Sequence, residues 1–295
     1  MARLVYLGTP DAAVAPLHAL VSAGHDVALV VSRADKRRGR GGTLVPSPVK
    51  AAALELGLTV TDDLAQCTDV GADVGVVVAY GRIVPVAVLD RLPMVNLHFS
   101  LLPRWRGAAP VERAILEGDA EAGVCLMAVE AGLDTGPVYA EMATAIDPEE
   151  SVEELRTRLV GIGCRMLVEH LVDGRAGLPV PRDQVGNPSY ADKILSHELE
   201  LDWDLPALQL RRVVRLGRAW TTFRGKRLRV LAAGHADSGG TIPELEPGRL
   251  DGAEVGAGDG TRLLLRTVQP EGKRPMDALD WLRGVPPRPD DRLGS

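Results

Sequence analysis

The sequence has few aromatic residues and few cysteines, and it contains no long hydrophobic run. Four Trp, four Tyr and two Phe in 295 residues are too few for a nucleic-acid platform of stacked rings. The three cysteines are scattered, which excludes a disulfide framework and favours a reducing compartment. Apolar stretches such as Val74–Tyr80 fall far short of the roughly 20 residues of a membrane helix. The N-terminal apolar run is too short for a signal peptide, so we expect a cytoplasmic protein.

Several familiar catalytic motifs are also missing. The chain has no three-glycine dinucleotide fingerprint, no phosphate-binding loop and no nucleophile elbow. Its six histidines and three cysteines show no metal-ligand spacing. We therefore expect neither a covalent enzyme intermediate nor a metal.

Basic residues are concentrated in two segments, although the net charge is −6. Residues 209–229 contain eight basic side chains and no acid. A second cluster comprises Arg33, Lys36, Arg37, Arg38 and Arg40, with Asp35 as its only acid. Such clusters on an acidic protein indicate either a local contact with phosphates or an ordinary solvated face.

The first half of the chain alternates strand and helix patterns, and its length suggests two domains. Apolar strands at Leu4–Leu7, Val27–Val31, Val74–Val78 and Met94–Phe99 predict an α/β, Rossmann-like domain with a mostly parallel sheet. A long helix is predicted over Val152–Val172, and short strands separated by Gly and Pro follow Pro206. These predict a small C-terminal β-barrel, OB-like in type. We expect a catalytic domain over 1–183, a linker over 184–203 and a barrel domain over 204–295.

Polar residues lie where a ligand site is expected. Asn96, His98 and Ser100 share one face of a predicted strand, and ligands bind at the carboxyl ends of such strands. Their alternative role is as hydrogen-bonded core residues. Asp134, between two glycines, is either a simple turn residue or the carboxylate that orients His98.

These residues occur in segments that closely resemble the methionyl-tRNA formyltransferase family. The segments are Asn96–Pro110 (NLHFSLLPRWRGAAP) and Gly132–Gly136 (GLDTG). The resemblance continues at Gly8–Asp11, Pro46–Lys50, Val77–Gly81, Tyr190–Ile194 and Val268–Lys273, and so spans nearly the whole chain. The Asn-x-His pair with a downstream Asp is shared by folate-dependent formyltransferases, whereas the long match and the C-terminal matches favour the tRNA enzymes.

The resemblance implies an enzyme that moves the formyl group of 10-formyltetrahydrofolate to the α-amine of methionyl initiator tRNA. It implies catalytic roles for Asn96, His98 and Asp134, with Asn96 and protonated His98 stabilising an oxyanion and Asp134 holding His98. The implied folate contacts are Ser100, Leu101, Leu102, Pro103, Tyr80 and Gly81. The basic clusters supply the candidate tRNA contacts Arg37, Arg38, Arg40, Arg211, Arg215, Arg218, Arg224 and Lys226. We expect a monomer that binds folate and tRNA but no membrane.

One segment departs from the family pattern. Family members carry an Arg-Ala-Phe-Asn-Pro-Trp-Pro-Gly-like stretch where the second domain begins, whereas this chain has Arg215–Phe223 (RLGRAWTTF). Two alternatives therefore stay open. One is a formyltransferase of the same scaffold acting on a nucleotide-linked amino sugar or a hydroxyornithine. The other is a non-catalytic RNA-binding or folate-sensing protein, because fold alone does not fix function.

Overall fold

The computed structural model describes residues 1–38, 42–235, 245–288 and 290–295, with Arg38 described by its backbone only. The chain divides into two compact units. The first comprises Met1–Val111, Ala120–Ile146 and Glu154–Asp192, and the second comprises Glu112–Asp119, Asp147–Glu153 and Lys193–Ser295.

The secondary structure alternates as expected in the first half and is richer in strands later. The strands are β1 (Arg3–Gly8), β2 (Asp26–Val31), β3 (Lys36–Arg38), β4 (Thr43–Val45), β5 (Val60–Thr61), β6 (Val74–Val78), β7 (Met94–His98), β8 (Arg106–Gly107), β9 (Glu121–Ala128), β10 (Val138–Ala145), β11 (Tyr190–Ala191), β12 (Trp220–Phe223), β13 (Lys226–His235), β14 (Leu250–Asp251), β15 (Glu254–Gly256), β16 (Arg262–Pro270) and β17 (Met276–Asp277). The α-helices are α1 (Val14–Ser22), α2 (Pro48–Glu55), α3 (Val86–Leu89), α4 (Pro110–Glu117), α5 (Val152–His170), α6 (Ala207–Arg215) and α7 (Ala278–Gly284). Short 3-10 helices occupy Asp11–Ala13, Leu64–Thr68, Gly174–Gly177 and Ser196–Leu199.

The first unit is built on a seven-stranded sheet in the order β10-β9-β7-β6-β1-β2-β5. Strands β5, β2, β1, β6 and β7 are parallel, while β9 runs antiparallel to β7 and β10 antiparallel to β9. All residues of β6 are buried, as expected for a strand covered on both faces. The predicted Rossmann-like, mostly parallel sheet is thus confirmed.

Local sequence accounts for the helices that flank this sheet. The Ser47 hydroxyl accepts a hydrogen bond from the Lys50 amide at 3.0 Å, and Pro48 opens α2. Serine at the N-cap followed by proline at the first helical position is a favoured start for a helix. Helix α5 lies close to β7, because a Cβ on Gly163 would come within 2.4 Å of the Leu97 side chain. A glycine at this helix position therefore lets α5 pack tightly on the strand that carries Asn96 and His98.

The second unit contains an antiparallel sheet in the order β12-β13-β16-β15-β14, with β17 paired to β16. Near the C-terminus Leu293 bridges to Phe223 on β12, and Arg292 bridges to Arg249, which immediately precedes β14. The end of the chain thereby joins both edges of the sheet. The core includes the Phe223 and Trp281 rings, packed edge to face at 5.1 Å. The predicted C-terminal β domain is confirmed.

The segment predicted as a linker, residues 184–203, is divided between the two units. Residues 184–192 belong to the first unit, and the second unit resumes at Lys193. Pairing of β11 with β8 accounts for this placement, since it adds Tyr190–Ala191 beside Arg106–Gly107. Among the described helices, none combines the length and apolarity needed to cross a membrane.

Candidate active site

Strand β7 positions two polar side chains at its carboxyl end. Asn96 and His98 are two residues apart and so share a face. His98 is 5% exposed and Asn96 is half-buried. Buried polar groups require hydrogen-bond partners, and a neighbouring loop supplies them.

The loop Gly132–Gly136, which follows β9, carries Asp134 with φ +50°. Aspartate tolerates this left-handed conformation better than most residues. Gly136 lies so close to the end of β9 that a Cβ there would come within 2.1 Å of the Ala128 carbonyl oxygen. The glycine therefore lets the loop fold back onto the strand, and Asp134 faces the end of β7.

The structure brings Asn96, His98 and Asp134 together. Asn96 Nδ2 donates to Asp134 Oδ1 at 3.4 Å, and His98 Nδ1 lies 3.7 Å from Asp134 Oδ2. The Gly107 amide donates to Asp134 Oδ2 at 2.8 Å. The carboxylate is thus oriented by a backbone amide and faces both polar side chains of β7.

A backbone carbonyl determines the tautomer of His98. His98 Nε2 lies 2.8 Å from the Trp105 carbonyl oxygen, which can only accept a hydrogen bond. Nε2 therefore carries a hydrogen, and Nδ1 is the ring nitrogen that faces Asp134. A proton on Nδ1 would face the Asp134 carboxylate.

The loop between β7 and β8 contains the residues expected to contact folate. The Ser100 hydroxyl donates to the Arg104 carbonyl at 2.6 Å, so this side chain holds the loop in shape. The Leu102 amide donates to Cys125 Sγ at 3.5 Å, and burial raises the pKa of that thiol to about 12. Leu101 also packs on β9, where Gly123 leaves room for its side chain. Pro103 is half-buried in the same loop.

Tyr80 and Gly81 follow the carboxyl end of β6. The Tyr80 side chain is 2% exposed and packs in an apolar cluster beneath the sheet end, and burial raises the pKa of its phenol. Thr9 Oγ1 donates to the Tyr80 carbonyl at 3.2 Å. Gly81 is exposed with φ +75°. A ligand at this edge would therefore meet Gly81 and backbone atoms before the Tyr80 ring.

The basic residues of the second unit fall into two groups. Arg211 Nη1 donates to Glu149 at 2.5 Å, Arg215 Nε donates to the Glu150 carbonyl at 2.7 Å, and Arg224 Nε donates to Asp291 at 3.0 Å. Burial lowers the pKa of Arg215. These three guanidinium groups are engaged within the unit, and Arg224 is so engaged although it is exposed. Arg218 and Lys226 are exposed as well.

The N-terminal basic cluster lies at the β3–β4 hairpin. Arg37 is exposed and donates to the Gly42 carbonyl at 3.2 Å. Arg40 and the side chain of Arg38 lie outside the described residues.

Sequence reasoning missed three contributors to the site: the Gly107 amide, the Trp105 carbonyl and the side chain of Gln184. Gln184 Nε2 donates to the carbonyls of Asp134 and Gly136 at 2.8 and 2.9 Å. Backbone groups leave no signal in residue types, and Gln184 lies in a Gly- and Pro-rich passage that the sequence marks only as a connection. In the described part of the chain, no cluster of three or more His, Cys, Asp or Glu is arranged to hold a metal.

Both units match established protein families. Residues 2–171 match the Formyl transferase family, and residues 193–286 match the Formyl transferase C-terminal domain. A solved N-formyltransferase from Helicobacter canadensis, in complex with folinic acid and dTDP-3-aminofucose, superposes with a TM-score of 0.71 at 15% identity, covering 90% of this chain and 99% of that one. At this identity the likeness concerns the fold. Fold and site together define a formyl transferase.

Relatives that match over nearly their whole length identify the family within the formyl transferases. The methionyl-tRNA formyltransferase of Jannaschia sp. (strain CCS1) is 45% identical over 300 residues, which cover 96% of this chain and 97% of the relative. That of Dinoroseobacter shibae is 43% identical with the same coverage of both chains. This chain belongs to the methionyl-tRNA formyltransferase family, as the resemblance predicted.

Proposed function

We propose that this protein transfers the formyl group of 10-formyltetrahydrofolate to the α-amine of methionyl initiator tRNA. The observation that carries the proposal is the cluster of Asn96, His98 and Asp134 at the end of β7, in a chain whose full-length relatives are methionyl-tRNA formyltransferases. The folate is a co-substrate. We further propose that the protein acts as a monomer in the cytoplasm.

The chemistry assigned to the three side chains follows from what each can donate or accept. The amine forms a bond to the formyl carbon, the bond from that carbon to N10 breaks, and the amine proton ends on N10. Asn96 Nδ2 has two hydrogens; one points to Asp134, and we assign the other to the developing oxyanion. A donor in that position contributes typically about 3 kcal/mol to lowering the barrier.

Proton movement is assigned to His98 and Asp134. Because the Trp105 carbonyl keeps a hydrogen on His98 Nε2, the ring exchanges protons through Nδ1, beside Asp134. An imidazolium formed during the reaction would carry its charge beside this carboxylate. We propose that Asp134 stabilises that charge and relays the amine proton, while the amide of Gly107 keeps the carboxylate in place.

The folate is assigned to the edge where β6 and β7 end, between Gly81 and the loop Ser100–Pro103. The polar groups of this loop are largely satisfied internally, so the protein offers the ligand a prearranged surface with little reorganisation. The exposed residues Arg37, Arg218 and Lys226 are proposed to contact tRNA phosphates, which would supply affinity without reading sequence.

A formyl-transfer assay tests the function. Purified protein is incubated with 10-formyltetrahydrofolate and either initiator or elongator methionyl-tRNA, and formylmethionine is quantified after release from the tRNA. We expect rapid formylation of the initiator and little of the elongator. Binding of folate without formylation of either tRNA would contradict the proposal, and formylation of a nucleotide-linked amino sugar in the same assay would favour a small-molecule acceptor.

A further inference from the structure

Residues 182–191, here called the strap, contact both loops of the active site. These are the Asp134 loop, Gly132–Gly136, and the segment that leads from β7 to β8. At one end Arg182 and Val138 exchange backbone hydrogen bonds, each 2.8 Å long, just beyond the Asp134 loop. At the other end β11 pairs with β8, and the Ala191 carbonyl accepts from the Ala108 amide at 2.8 Å. The strap is therefore paired to the chain on both sides of the site.

Gln184 is the strap residue whose side chain reaches the Asp134 loop. Its Nε2 donates to the carbonyls of Asp134 and Gly136, and its Oε1 accepts from Arg106 Nη2 at 2.6 Å and Nε at 3.1 Å. Gln184 is half-buried, whereas the next residue, Val185, is 87% exposed. One amide thus holds the Asp134 loop with its nitrogen and the β8 segment with its oxygen.

These contacts form a closed network of hydrogen bonds, here called the circuit, around the Asp134 carboxylate. The Asp134 side chain accepts from the Gly107 amide, Gly107 follows Arg106 in the chain, Arg106 donates to Gln184, and Gln184 donates to the Asp134 backbone. Asp134 has an uncommon backbone conformation at φ +50°, which persists only when its surroundings fix it. The circuit supplies that constraint from two directions.

We infer that Gln184 is a positioning residue, which keeps the Asp134 carboxylate facing His98. The inference rests on the proposed role of Asp134 in the reaction. A primary amide suits this position because it combines two donor hydrogens with an acceptor. Glutamate would keep the acceptor for Arg106 but lose both donors to the loop, and methionine would lose both functions at similar length.

The test compares Gln184→Glu and Gln184→Met with Val185→Ala, an exposed neighbour on the same strap. Single-turnover rates with enzyme in excess are measured together with kcat, the KM values for both substrates and the thermal midpoint. Because displacements near 1 Å can cost about 100-fold in rate, we expect both Gln184 variants to lose about 10- to 100-fold in kcat. Their KM values should stay within about twofold, and Val185→Ala should match the wild type. Unchanged kcat in both Gln184 variants would overturn the inference.

A double-mutant cycle distinguishes an effect of Gln184 that acts through Asp134 from a general effect on the structure. If Gln184 acts through Asp134, Gln184→Met should add less than about twofold to the loss already caused by Asp134→Asn, because coupled residues are not additive. Multiplication of the two losses would overturn the inference.

Amide hydrogen exchange gives a readout that does not need activity. In Gln184→Met we expect exchange of the Gly107 amide, which is bonded to Asp134, to accelerate about tenfold or more, while Val138 and Ala108 keep their protection. Unchanged exchange at Gly107, or equal acceleration at all three amides, would overturn the positioning role. An inactive wild type with this local exchange pattern would instead contradict the proposed function alone.

Discussion

At the residue scale, the site depends on which atoms can donate and which can only accept. The Trp105 carbonyl fixes the hydrogen on His98 Nε2, and the Gly107 amide fixes one oxygen of Asp134. Neither partner is a side chain. His98 Nδ1 and the Asp134 carboxylate consequently face each other.

The substitution Asp134→Asn tests this arrangement. The asparagine side chain is nearly isosteric and can still accept from Gly107, but it carries no charge beside His98 and cannot relay a proton. We expect kcat to fall by about two orders of magnitude, with thermal stability close to that of the wild type. Steady-state kinetics with methionyl initiator tRNA measure the effect. Near-normal turnover would remove Asp134 from the mechanism.

The residue types of the site are visible in the sequence, but their geometry is not. Alternation along a strand is enough to place Asn96 and His98 on one face. The reach of Asp134 to them depends on the fold of a loop 38 positions away from Asn96, and Gln184 enters from 50 positions beyond Asp134. Contacts over such separations are decided by the path of the chain.

At the scale of elements, helix α5 contains two glycines in different surroundings, of which Gly163 lies against strand β7. A Cβ on Gly161 meets no atom within 4 Å, whereas a Cβ on Gly163 would meet Leu97 at 2.4 Å. Gly161→Ala should therefore stabilise the protein by roughly 0.5–1 kcal/mol through helix propensity. Gly163→Ala should be less stable than Gly161→Ala by about 1–3 kcal/mol, because the core around Leu97 is overpacked.

Urea unfolding of the two variants measures the difference, and the formylation assay adds a second readout. Leu97 lies between Asn96 and His98, so the shift forced by Gly163→Ala should also lower kcat, while Gly161→Ala should leave it unchanged. Equal stabilisation by both substitutions would show that α5 has room to move away from β7.

His25, the residue immediately before strand β2, makes a contact that depends on pH. His25 is 8% exposed, its Nδ1 accepts from the Ala2 amide at 3.3 Å, and burial together with the N-terminal amine lowers its pKa from 6.5. The unfolded chain therefore takes up this proton at a higher pH than the folded one. The associated stability is complete above pH 6.5 and is lost as the pH falls from there through the folded pKa.

We accordingly expect the thermal midpoint of the wild type to fall more between about pH 7 and about pH 5 than that of His25→Gln, which keeps an acceptor for the Ala2 amide but does not titrate. Thermal unfolding of both proteins at the two pH values measures this. Parallel decreases would show that folding does not change the pKa of His25.

At the scale of the whole molecule, the basic residues of the segment 209–229 divide into two sets with different surroundings. Arg211, Arg215 and Arg224, the engaged set, bind acidic side chains or backbone carbonyls of the second unit, and Arg224 does so although it is exposed. Arg218 and Lys226 form the exposed set. We therefore expect phosphate binding to depend on the exposed set, and stability to depend on the engaged set.

Salt dependence of tRNA binding tests this division. Arg218→Ala and Lys226→Ala should each weaken binding and reduce the slope of log affinity against log salt by about one, with folate binding unchanged. Arg283→Ala, an exposed arginine paired with Asp280 in α7, is the control and should leave the slope intact. Fluorescence anisotropy over a series of salt concentrations measures the slopes; equal effects of all three substitutions would contradict a localised tRNA surface.

Arg211→Ala should behave differently from these surface variants. Its side chain is 5% exposed and paired with Glu149, so its removal should lower the free energy of unfolding by about 2 kcal/mol. The salt slope of the folded protein should be unchanged. A reduced slope without loss of stability would place Arg211 among the phosphate contacts.

Residue order alone is sufficient to predict the alternation of buried strands and helices, the α2 cap at Ser47 and Pro48, the family, and the residue types Asn96, His98 and Asp134. These follow from local conformational preferences, from the hydrophobic pattern and from sequence motifs, each of which depends on residues that are close together in the chain. Folding in three dimensions was needed to show that the Gly107 amide and the Trp105 carbonyl complete the site, that Gln184 connects two loops, and which arginines are engaged internally. Backbone donors and acceptors are the same in every residue except proline, so only the folded path of the chain can assign their partners.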